Sequence, residues 1–77
     1  MKVIINDLTH EAYTRLIELY GSKMIFQSIA YDESRGTYRV VLNKYAIVKT
    51  GVREVKIDLG ARCYYLSRQD FRTIEVY

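Results

Sequence analysis

Residues 8–21 read Leu8-Thr9-His10-Glu11-Ala12-Tyr13-Thr14-Arg15-Leu16-Ile17-Glu18-Leu19-Tyr20-Gly21, and this stretch decides the fold. Tyr13, Leu16, Ile17 and Tyr20 recur at i, i+3, i+4 and i+7, with Ala12 and Leu19 widening the stripe, so the spacing predicts a one-faced helix over about 10–20. Thr9 is a natural N-cap, because its hydroxyl can accept from a backbone N–H left free at the helix start. Leu8 and Tyr13 then fall at N′ and N4, the spacing of a hydrophobic staple. Glu11 and Arg15 stand at i, i+4 on the wet side, where they can pair. Gly21 can take the left-handed conformation that ends a helix. A single amphipathic helix needs something to lie on.

Everything flanking it is extended in character. Lys2–Ile5 reads as a short strand ended by Asn6-Asp7. Residues 24–31 form a strand with apolar residues on both faces, so its inward side is ambiguous. Asp32-Glu33-Ser34-Arg35-Gly36 is a turn, and Thr37–Leu42 returns as a hairpin partner. Tyr38, Val40 and Leu42 share one face; Arg39, Val41 and Asn43 share the other. A second hairpin joins Tyr45–Lys49 to Val52–Leu59 across Thr50-Gly51, where Gly51 can supply a positive φ. Val55, Ile57 and Leu59 alternate with Glu54, Lys56 and Asp58, the clearest in-and-out pattern in the chain. After Gly60, Arg62–Leu66 is a short extended segment. Ser67-Arg68-Gln69-Asp70 is a turn with a capping-box end. Arg72–Tyr77 is a last strand, with Ile74 and Val76 inward.

The expected fold is α+β. One small domain spans 1–77, with one amphipathic helix packed on a twisted antiparallel sheet of about five strands, open or closed into a small barrel. The helix-then-strands order, ending in a turn and Thr73-Ile74-Glu75-Val76, resembles an SH3- or Sm-like barrel; the leading Lys2–Ile5 strand departs from it. No function is carried over from this likeness.

Composition bounds the chemistry. There are 8 Tyr, 2 Phe and 12 Lys/Arg in 77 residues, against one His, one Cys and no Trp or Pro. Tyr and Arg are residues of contact surfaces, whereas His and Cys serve acid–base catalysis, nucleophilic attack and metal ligation. One Cys and one His can build neither an intramolecular disulfide nor a structural zinc site. The four glycines, at 21, 36, 51 and 60, are dispersed as turn punctuation and make no phosphate loop. No cofactor or metal is therefore expected. His10 reads as an exposed first-turn residue, Cys63 as a small buried hydrophobe, and Asp32-Glu33 as turn polarity. With no signal-like start and no apolar run near the ~20 residues of a membrane helix, the expectation is a soluble, cytoplasmic chain with no membrane partner.

Charge is uneven. Residues 1–33 carry Lys2, Arg15 and Lys23 against five acids, net −2. Residues 34–57 carry Arg35, Arg39, Lys44, Lys49, Arg53 and Lys56 against Glu54 alone, net +5. This basic middle, with Tyr38 and Tyr45, is the strongest functional signal. The expected function is a non-catalytic interaction module that binds and covers a macromolecule, foremost another protein, because the tyrosine surplus and a sheet face that one helix leaves uncovered suit a protein surface. Small domains without cofactor sites include many phage and mobile-element inhibitors of host or defence complexes. The expected contact residues are Arg39, Lys44, Tyr45, Lys49, Arg53 and, on the sheet face, Tyr77.

Two other readings compete. Basic strands with interleaved aromatics also suit RNA or single-stranded DNA, using the hairpins of 35–56. A small ribonuclease working with Arg39, Lys44, Tyr45 and Arg53 in place of histidines is the enzymatic alternative. The acidic helical end and basic β middle also allow self-pairing into a homo-oligomer.

Overall fold

The computed structural model describes residues 2–20, 26–42, 47–51, 54–58 and 63–77. In chain order the elements are β1 (Val3–Thr9), α1 (His10–Tyr20), β2 (Phe26–Asp32), β3 (Thr37–Leu42), β4 (Ile47–Thr50), β5 (Glu54–Asp58), β6 (Cys63–Ser67), a 3₁₀ turn (Arg68–Asp70) and β7 (Thr73–Val76). The expected helix is there to the residue, and Thr9 Oγ1 accepts from the Ala12 N–H at 3.3 Å.

The strands divide into two antiparallel sheets, ordered β2-β3-β1-β7 and β4-β5-β6. The expectation of one sheet of about five strands thus holds for the α+β class but not for the partition, and the described strands form no closed barrel. The reason lies in β1. Asn6-Asp7 does not end it; those residues make a bulge, marked by a register shift between Ile5 and Leu8 and by Asp7 at φ 54°. The strand resumes to Thr9, long enough to take β3 on one side and β7 on the other. Backbone bonds between Lys2 and Tyr77 at 3.0 and 2.8 Å extend the β1–β7 pair to the last residue.

One apolar cluster joins the elements. Val3, Ile5 and Leu8 of β1, Val40 and Leu42 of β3, and Ala12 and Leu16 of α1 meet Val55, Ile57 and Leu66 of the second sheet. Removing these side chains from water is the main stabilising term for the domain. Ile4 and Val41, partners across β1 and β3, are also buried, on the opposite face of the sheet.

Several local expectations are corrected. Phe71, assigned by strand parity to an open face, lies just after the 3₁₀ turn and outside the β7 alternation, and is buried. Val76, expected inward, is 51% exposed: β7 is an edge strand, and only Ile74 reaches the core. Cys63 is exposed rather than buried, opposite Asp58 on the outward side of β6. Arg15 reaches Asp70 at 3.4 Å instead of Glu11. Gly51 has no positive φ; a Cβ there would sit 3.1 Å from the Glu54 carbonyl oxygen, so close approach explains the glycine, whereas Gly36 takes φ 65°. Gly21, Asn43, Leu59 and Gly60, placed above from the sequence, lie outside the described residues.

Candidate partner-binding surfaces

The most open element is β2. Its sequence, Phe26-Gln27-Ser28-Ile29-Ala30-Tyr31-Asp32, mixes β-formers with small polar residues and has no charge before Asp32. Asp32 then closes the hairpin. Its Oδ1 accepts from the Ser34 N–H at 3.0 Å and the Ser34 hydroxyl at 2.6 Å, and its carbonyl accepts from the Gly36 N–H at 2.8 Å. These bonds to Ser34 hold the Asp32 carboxyl below its ordinary pKa. The turn fixes the register that sets Tyr31 opposite Tyr38, Ala30 opposite Arg39 and Ile29 opposite Val40.

Because β2 is the edge of its sheet and α1 lies over β1 and β3, residues 27–32 are exposed on both faces. Ile29 is 39% and Tyr31 55% exposed. Beside them is an aromatic group built from three elements. Tyr13 of α1 stacks on Tyr38 of β3 at 3.8 Å between ring centroids and 10° between planes. Tyr31 tilts against Tyr38 at 4.9 Å, and His10 Nδ1 lies 3.0 Å from the Tyr38 hydroxyl. Burial under these rings, with Tyr13 and Tyr31 adding to it, raises the Tyr38 phenol above its usual pKa. Tyr38 is thus half-buried and packs against the core cluster.

The expected contact residues fall in different places. Arg39 is exposed on the far face of the four-stranded sheet, and its charge reaches Glu75 and Tyr77. Tyr77, 68% exposed, donates to Glu75 Oε1 at 2.7 Å, while Asn6 Nδ2 donates to Glu75 Oε2 at 2.8 Å. The bonds from Asn6 and Tyr77 lower the Glu75 pKa, and the bond to Glu75 raises that of Tyr77. So Arg39 and Tyr77 share one face. Lys49 stands on the other sheet, directly opposite Lys56, and Lys56 in turn faces Tyr65, which is 52% exposed. Lys56 Nζ also approaches Asp58 at 3.8 Å. Lys44, Tyr45 and Arg53 lie outside the described residues.

Sequence reasoning missed Ile29 and Tyr31 as exposed large apolar residues. The available signal was the uncharged, proline-free run 26–31, since natural edges usually carry Lys, Pro or inward charges. An open depression of about 530 Å³ is lined by Thr9, His10, Glu11, Gln69 and Asp70. Its Asp70 carboxylate is engaged by the Ser67 N–H at 2.9 Å and by Arg15, and the His10 Nδ1 faces Tyr38. Among the described residues no group of three His, Cys, Asp or Glu could hold a metal, and no helix is long and apolar enough to cross a membrane. No protein family, curated protein or solved structure matches the chain.

Proposed function

We propose that this chain is a non-catalytic interaction module that binds a partner protein through the β2 edge and acts by covering part of that partner's surface. One observation carries the reading: β2 is a seven-residue edge strand, open on both faces over residues 27–32, that presents Ile29 and Tyr31 next to the Tyr13–Tyr38 stack. An unpaired strand edge offers backbone donors and acceptors to an extended segment of another chain, and alternate side chains supply the specificity. Tyr adds large, rigid contact area at low conformational cost. The basic residues Arg39 and Lys49 then serve to orient an acidic partner rather than to anchor it.

A second reading has its own support. Lys49 and Lys56 are cross-strand neighbours of like charge, an arrangement that costs up to about 1 kcal/mol and that a phosphate would relieve, with Tyr65 beside them for a base to stack on. That reading is single-stranded nucleic acid binding on the outer face of β4-β5-β6.

One experiment separates them. Tagged protein is used to capture partners from a lysate of the source cells and, in parallel, to titrate labelled single-stranded RNA and DNA by anisotropy at low and physiological salt. The protein reading expects specific capture that Ile29→Lys/Tyr31→Lys abolishes and Lys49→Glu/Lys56→Glu leaves intact. Capture indifferent to residues 29 and 31 would sink it. Salt-sensitive nucleic-acid binding lost in the lysine double variant would put the second reading first.

A further inference from the structure

We infer that the β2 edge pairs with the β2 edge of a second copy of this chain, antiparallel about a twofold axis at Ala30. The inference rests on β2 being a protein-docking edge and goes on to name an occupant for it.

The register follows from the strand itself. The β2–β3 pairing is irregular between Phe26 and Ser28, so the regular part of β2 is Ser28–Asp32. Side chains alternate between faces with a period of two, so a twofold pairing that keeps like faces together must be centred on a residue, never between two. Centring on Ala30 uses all five regular residues and leaves the bulge outside. Ala30 then meets its own copy at the axis, where a small side chain suits close approach. On one face Ile29 lies opposite the copy's Tyr31, and Tyr31 opposite the copy's Ile29. Aromatic with β-branched is among the favourable cross-strand pairs. The two large exposed apolar side chains of β2 are therefore each other's partners, and both leave water at once. On the other face Ser28, a hydroxyl donor, falls opposite the copy's Asp32, an acceptor.

Charge agrees with this register. Between Phe26 and Tyr31 there is no ionisable side chain except the Tyr31 phenol, so no like charges oppose each other at the seam. The two Asp32 carboxylates lie at opposite ends of it, four residues along one strand, or ~14 Å at about 3.4 Å per residue. That is more than the Debye length of about 8 Å at physiological salt. The second copy already carries apolar side chains at the positions this register brings opposite Ile29 and Tyr31. The result is one eight-stranded sheet running through both protomers. It would also pair an edge that has no strand beside it among the described residues, and a tighter-binding partner could displace the copy by mass action.

The test is the mass in solution, by light scattering on a sizing column and sedimentation equilibrium, over a concentration series reaching high micromolar. The chain weighs 9.1 kDa, and the expected result is a concentration-dependent species of twice that mass. Ile29→Lys/Tyr31→Lys and Ile29→Glu/Tyr31→Glu should each be monomeric with unchanged far-ultraviolet circular dichroism, since both positions are solvent-exposed. Mixing the two should restore a heterodimer, because the register sets each Lys opposite a Glu. A wild type that stays at the single-chain mass throughout would overturn the inference, as would a dimer that survives the lysine variant. A mixture that fails to pair would overturn the Ala30 register. If the wild type is monomeric but lysate capture still depends on Ile29 and Tyr31, self-pairing falls and the docking edge stands. If capture is equally indifferent, both fall.

Discussion

Asp7 is where local preference and global structure meet. Its φ of 54° lies in the left-handed region, which Asp tolerates better than most residues because its short side chain can hydrogen-bond nearby. The carboxylate, largely shielded, accepts from Arg35 at 3.0 Å and from the Thr37 hydroxyl at 3.0 Å, and forms an ion pair with Arg72 at 3.2 Å. It therefore ties the β1 bulge to the β2–β3 turn and to the approach to β7. The arginines are more than half exposed, so each ion pair contributes only a few tenths to about 1 kcal/mol. Asp7→Ala should lower stability by about 2 kcal/mol, from lost bonds plus an alanine forced to positive φ. Asp7→Gly should recover about 1 kcal/mol of that, because glycine takes this φ freely. Urea unfolding of the two variants checks it, and equal midpoints would show that the backbone strain is negligible. Asn6-Asp7 reads in the sequence as the end of a strand. What could not be read locally is that strands on both sides carry β1 through it.

Among the elements, α1 owes its position to signals that are contiguous in sequence: the Thr9 cap, the 3.6-residue stripe and the Leu8 that leads into it. Thr9→Ala should destabilise the domain by about 1 kcal/mol, while Thr9→Ser, which keeps the accepting oxygen, should stay within a few tenths of wild type. Thermal or urea unfolding followed at 222 nm reads both. If Thr9→Ala matched wild type, the 3.3 Å bond would be incidental. The 3₁₀ turn was equally legible, since the capping box of Ser67 and Asp70 forms as its spacing predicts. Its consequence was not. Asp70, held by Ser67, draws Arg15 away from the nearer-in-sequence Glu11 and so pins the turn to α1. A local i, i+4 pair is worth only about 0.3–0.5 kcal/mol, so a partner preorganised elsewhere readily wins.

In the whole molecule, the shifted groups set opposite limits on stability against pH. Asp32 and Glu75 have lowered folded pKa values, chiefly through bonds from Ser34 and from Asn6 respectively. They bind protons less readily folded than unfolded. Their contribution is therefore present above the ordinary carboxylate range and lost as pH falls through their folded pKa values. Tyr38 and Tyr64 are raised chiefly by burial and Tyr77 by its bond to Glu75. Their contribution is complete at neutral pH and lost as pH rises beyond about 10. Urea midpoints between about pH 3 and pH 11 should form a plateau with a decline at each end. The Asp32→Asn/Glu75→Gln double variant should flatten the acid limb and leave the alkaline one. An acid limb unchanged in that variant would place its origin in other carboxylates.

Local order was written in the chain: the helix and its cap, the hairpin turn at 32–36, the inward Val55 and Ile57, and the concentration of Tyr and basic residues over His and Cys. Such features depend on residues within a few positions of one another, and side-chain periodicity or turn chemistry reports them directly. The neighbours of each strand were decided only in three dimensions. Val3 pairs with both Leu42 and Val76, and His10, Tyr13 and Tyr31 converge on Tyr38 across α1, β2 and β3. A pattern of alternation says which face a residue takes but not which strand lies beside it, because many pairings bury the same apolar set. So the split into two sheets, the parting of Lys49 from Arg39 and Tyr77, and above all the open edge at β2 follow from where β1 found its partners.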